Sequence, residues 1–106
     1  MTDKTPASYR LVDVRFLASQ PHRLQITAGT KASLDELDMR LSDVRICLDS
    51  LTEEHFRKTM AAERFDGVML DVYTVNFKSR LMYIKFHISS EGVDHGILVV
   101  SSFKEA

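Results

Sequence analysis

Leu81-Met82-Tyr83-Ile84-Lys85-Phe86-His87-Ile88-Ser89 decides the fold, because its side chains change character at almost every step. A strand sends successive side chains to opposite faces, so Tyr83, Lys85 and His87 share one face while Ile84, Phe86 and Ile88 share the other. The apolar row reads as core and the polar row as the solvent side of a half-buried sheet. The same period of two runs from Val68 to Lys78 before this segment and from Ile97 to Lys104 after it, with turns predicted near Lys78-Ser79-Arg80 and Glu91-Gly92-Val93-Asp94. These segments form a β-meander.

Upstream the rhythm is helical. Leu11, Val14, Leu17 and Ala18 give the spacing of an amphipathic helix that Pro21 ends. Arg23-Leu24-Gln25-Ile26-Thr27 alternates and predicts a short strand before a turn at Gly29. Ser33-Leu34-Asp35-Glu36 fits the capping-box pattern and predicts the start of a second helix there. Ser42 predicts the cap of a third helix, with Asp43 in its first turn and Val44, Cys47, Leu48 and Leu51 facing inward. Thr52 followed by Glu53 and Glu54 predicts a fourth, short helix to about residue 60, with Phe56 and Met60 as its buried edge. Helices first and a meander after them make an α+β fold: N-terminal short helices packed on a C-terminal twisted antiparallel sheet.

At 106 residues the chain supports one domain, 1–106, with a modest core. A hydrophobic share of 44% against 27% charged is that of a folded protein, not of a disordered tail. No stretch has the length and apolarity of a membrane helix, and Met1 to Arg10 is too polar for a signal peptide, so a cytoplasmic location without membrane contact is expected. The single cysteine, Cys47, lies at helical spacing with Val44, Leu48 and Leu51 and reads as a packed thiol. His22, His55, His87 and His95 lack metal-ligand spacing, and no Gly-rich phosphate loop or nucleophile elbow occurs. A net charge of −1 gives no global attraction to nucleic acid, so any RNA contact must come from a local patch.

Four segments carry a family likeness: Phe56-Arg57-Lys58-Thr59-Met60, Asp71-Val72-Tyr73, Tyr83-Ile84-Lys85-Phe86, and Leu98-Val99-Val100-Ser101-Ser102-Phe103-Lys104-Glu105. In order and spacing they resemble the MqsR family of bacterial toxins, small ribonucleases of type II toxin–antitoxin systems. That resemblance implies a RelE-like fold, with helices on one sheet face and the RNA site on the other. It implies catalytic roles for Lys58, Tyr83 and Lys104; beside them Arg57, Tyr73, Lys78, Arg80 and Lys85 are the expected RNA contacts. It further implies mRNA as substrate, no metal or other cofactor, and an antitoxin partner whose helix-turn-helix domain alone reaches operator DNA. In such a reaction the ribose 2′-OH attacks the adjacent phosphorus. Lysines then stabilise phosphate charge, while the Tyr83 phenol positions the 2′-OH or transfers a proton.

Three positions depart from the family pattern. Leu70 stands where the family has a Gln before Asp-Val-Tyr, which removes an amide that could orient substrate. Arg57 stands where well-known members have a Tyr, exchanging a stacking ring for a charge. The terminal strand carries one extra Ser in Ser101-Ser102-Phe103-Lys104, and a slip of one residue turns Lys104 to the wrong face unless a β-bulge absorbs it. The rival to a ribonuclease is therefore a non-catalytic module that keeps antitoxin docking and has lost cleavage. A plain α+β protein with a chance likeness is the third reading.

Overall fold

Lys78 and Ser79 both take positive φ, 51° and 63°, and close a two-residue hairpin between β3 (Met69–Phe77) and β4 (Arg80–Ser89). Paired left-handed residues give the turn a twist that matches the strands it joins. In this computed structural model, which describes residues 5–90 and 96–106, β4 then pairs antiparallel with β5 (Ile97–Glu105). The predicted Glu91–Asp94 turn lies outside the described residues, as does His95. Two further strands, β1 (Leu24–Ile26) and β2 (Phe56–Ala61), complete a five-stranded sheet of order β1-β5-β4-β3-β2. β1 (Leu24–Ile26) is the short strand expected before Gly29, and it pairs parallel with β5, so the sheet is mixed.

The first helix, α1, spans Leu11–Ser19 and ends before Pro21, whose ring cannot continue it. The second, α2, spans Ala28–Leu37 and starts five residues before Ser33. Thr27 is its cap: the hydroxyl accepts from Thr30 N–H at 3.2 Å, and Thr27 follows directly on β1. Gly29 is therefore helical, and Ser33 sits mid-helix with its hydroxyl donating to the Gly29 carbonyl four residues back. The helix stops at Asp38, which adopts the left-handed conformation at φ 56°. α3 spans Leu41–Asp49, and its expected first-turn Asp43 accepts from Arg40 N–H at 2.8 Å. Ser42 lies inside this helix rather than at its cap.

The fourth predicted helix is a strand. Thr52 opens one 3-10 turn, Glu53–His55, and the chain then extends as β2, Phe56–Ala61, paired with β3. A helix of nine residues is marginal in water, whereas the open edge of β3 offers a row of unpaired backbone groups. The register shifts between Phe56 and Lys58, so Arg57 is the extra residue of a β-bulge. A second shift in the β4–β5 ladder pairs Lys85 with Ser102 and Phe86 with Val100, leaving Ser101 bulged. The bulge thus absorbs the extra serine.

One sheet face carries the core. Val14 and Leu17 of α1, Leu34 of α2, and Val44, Cys47 and Leu48 of α3 are buried against Tyr73, Ile84, Phe86, Leu98 and Phe103. Burial pushes the Cys47 thiol up to about 12, which keeps it neutral and unreactive. Asp71, also buried, accepts from Ser8 N–H at 3.0 Å and Tyr9 N–H at 2.9 Å. A carboxylate without such donors would be costly to bury; with them it pins the N-terminal segment to β3.

Candidate functional site

Two bulges decide which cations reach the open sheet face. With strict alternation Lys58 would share a side with Phe56, which packs edge-on against Tyr73 in the core, ring centroids 5.4 Å apart. The extra residue at Arg57 turns Lys58 to the other side, opposite Val72. Likewise Leu98 and Val100 are buried in the core, and only the bulge at Ser101 lets Phe103 follow them inward while Lys104 turns out.

The outer face is organised in rows across the strands. In the first, Lys104 pairs with Tyr83 and Tyr83 with Thr74, whose hydroxyl accepts from Arg57 Nε. Lys104 Nζ lies 5.3 Å from the Tyr83 ring centroid, a cation–π contact that ties the two candidate catalytic groups together. In the second row Ser102, Lys85, Val72 and Lys58 follow one another through the ladder. In the third, Val99 faces His87 and Leu70 faces Met60, and the Asp71–Phe86 register sets Leu70 beside His87. Leu70 therefore faces the site and not the helices.

Among the described residues Lys58, Lys85 and Lys104 form no salt bridge, while Lys78 and Arg80 do. Lys78 Nζ stands 2.7 Å from Asp43 Oδ1 of α3, so the hairpin tip is locked to a helix on the core side. Arg80 Nη1 pairs with Glu105 at 3.1 Å. These cations were expected at the RNA site; their charge is spent on neighbours because the hairpin tip folds toward α3 and the strand ends. Tyr73, expected as an RNA contact, is 1% exposed and stacked on Phe86 at 5.5 Å, with its hydroxyl pushed up to about 12 by burial. The odd-numbered residues of β3 face the core, so Tyr73 cannot stack on a base. Lys58, Tyr83, Lys85, Lys104 and Arg57 do come together.

One group on this face has no role in the sequence reading. His87 is half-buried, and burial lowers its pKa. Its Nδ1 is buried without a hydrogen-bond partner. Alternation places it with Tyr83 and Lys85, but weighing the histidines only as metal ligands passes over it. Among the described residues, no three His, Cys, Asp or Glu side chains gather as a metal would require.

A cation row beside a phenol, on an otherwise half-buried sheet, suits a phosphodiester: the lysines meet phosphate oxygens and the hydroxyl meets a ribose oxygen. Residues 6–105 match a protein-family model described as "Motility quorum-sensing regulator, toxin of MqsA". No curated protein matches the chain.

Proposed function

The chain belongs to the MqsR toxin family, and we propose that it is the toxin of a toxin–antitoxin pair that cleaves mRNA without a metal. The observation that carries this reading is the placement of Lys58, Lys85 and Lys104 beside Tyr83 on one face, with no carboxylate bridging any of these lysines among the described residues. Lys58 and Lys104 stabilise charge on the phosphorane as the 2′-oxygen bonds to phosphorus and the bond to the 5′-oxygen breaks. The proton leaves the 2′-OH and one is delivered to the 5′-oxygen, with Tyr83 positioned to handle the transfer at the ribose. The products are a 2′,3′-cyclic phosphate and a 5′-hydroxyl.

The antitoxin partner is in this proposal a protein with a helix-turn-helix domain, through which alone the pair meets operator DNA. A second reading, a docking module without ribonuclease activity, is favoured by Leu70, which supplies no hydrogen bond where the family has an amide. Expression of the chain in a bacterium, with primer-extension mapping of mRNA, separates the two. Growth arrest with cuts at a recurring short sequence, persisting in chelator when the purified protein is used, is the expected result. Intact mRNA at full expression would leave the docking module.

A further inference from the structure

The sheet face does not end at the lysines. Beyond Lys85 lies a cavity of about 680 Å³ whose lining includes Lys85, His87, Leu70, Met60, Val99 and Phe65. We propose that this cavity is a nucleobase-binding subsite, holding the base next to the phosphate that Lys58, Tyr83 and Lys104 engage; the inference rests on the ribonuclease reading.

Position is the first support. Residues two apart on a strand are about 7 Å apart, so His87 lies one step beyond Lys85, comparable to the separation of a nucleotide's phosphate from its base. The walls supply the second. Leu70, Met60 and Val99 offer apolar surface, and a nucleobase is a flat apolar body with polar edges. Phe65 is 66% exposed, an aromatic ring held in solvent at the cavity's margin with nothing in the described chain to cover it. Exposed rings of this kind serve as stacking platforms for single-stranded bases.

His87 is the third. Its Nδ1 is withdrawn from water, which leaves the ring's other nitrogen, Nε2, to meet a base edge entering the cavity. With its pKa lowered by burial, the ring is neutral at pH 7 and presents one donor and one acceptor. Such a ring reads a base edge without competing with the lysines for phosphate.

The test maps cleavage of a randomised RNA pool by end sequencing and measures KM on one oligonucleotide carrying the preferred site. Phe65→Ala is expected to raise KM about fivefold to a hundredfold, the range of one lost base stack, with kcat kept and Phe65→Trp restoring it. His87→Ala is expected to flatten the sequence preference at one nucleotide position. If Phe65→Ala and His87→Ala cut the same sequences with unchanged KM, the subsite is overturned while the ribonuclease reading stands. A Phe65→Trp protein as impaired as Phe65→Ala would also overturn it. Wild-type protein that cuts nothing in the pool overturns both.

Discussion

Lys58 and Lys104 differ from Lys78 and Arg80 in having no carboxylate within ion-pair distance among the described residues, although all are cations of one short C-terminal region. A charge already balanced by Asp43 or Glu105 gains little from a phosphate, whereas an unbalanced one gains fully. Lys58→Ala and Lys104→Ala are each expected to lower RNA cleavage about 10²–10³-fold, the usual loss for a donor acting on transition-state charge. Both side chains are exposed, so stability should change by under about 0.5 kcal/mol. Matched cleavage rates and thermal melts check this, and full activity in both variants would remove them from the chemistry. Leu70 lines the open cavity, so a Gln there keeps its amide in contact with water and is not buried unpaired. Leu70→Gln is therefore expected to speed cleavage between about threefold and several hundredfold, with the melting temperature little changed. A lower melting temperature with no gain in rate would assign Leu70 a purely structural part.

At the scale of elements, bulges and caps do the positioning. Because the bulge at Ser101 exists to absorb one residue, deleting Ser101 leaves Ser102 out, Phe103 in and Lys104 out on a regular strand. The deletion variant should fold and keep the proposed ribonuclease activity. Loss of cleavage with intact folding would mean that the distorted backbone itself places Lys104. The hairpin tip is tested differently. Asp43 accepts from Lys78 Nζ and from Arg40 N–H, and these hydrogen bonds hold its carboxyl below the ordinary value of 3.8. A depressed folded pKa stabilises the protein above the unfolded value, and that stability is lost as pH falls through the folded one. Asp43→Asn should therefore melt several degrees below wild type at neutral pH, with the gap closing below about pH 4. A gap that stays constant down to pH 2 would show that the carboxylate's charge is not what joins hairpin and helix.

For the whole molecule, a net charge of −1 leaves no long-range field to draw RNA in, so on the proposed reading binding would depend on the local row of Arg57, Lys58, Lys85 and Lys104. Each cation that displaces a counterion from a single strand contributes about −0.7 to the slope of the log association constant against log salt, so for the full row log Kd rises with log salt at a slope of roughly +3. Titration of a non-cleavable 2′-O-methyl oligonucleotide at several ionic strengths measures it. A slope near zero would mean that these cations are not the RNA contact. The helices, meanwhile, occupy the opposite face, where Val14, Leu34 and Leu48 cover Ile84 and Phe86. That division leaves the outer face open to a ligand.

Local pattern by itself determined much of this protein. Tyr83-Ile84-Lys85-Phe86 carries its period of two in the sequence, so the strand, its core row and its polar row are legible from neighbours alone. The same holds for Leu11 to Ala18, whose helical spacing comes before a proline, and for Cys47 among Val44, Leu48 and Leu51. Phe56 to Met60 was not legible, because the spacing of Phe56 and Met60 suits a helix face, and what makes the segment a strand is the backbone edge of β3 more than eight residues away. Tyr73 shares the apparent motif of the site yet points inward, since its face depends on which side of β3 the helices cover. Lys78 found Asp43 across a gap of thirty-five positions, and no local rule anticipates such a pairing. His87 and Phe65, too, meet around one cavity only after the strands are laid side by side. Local periodicity sets the elements, whereas pairing between distant backbone edges sets which face each side chain joins; only the tertiary structure decides the second.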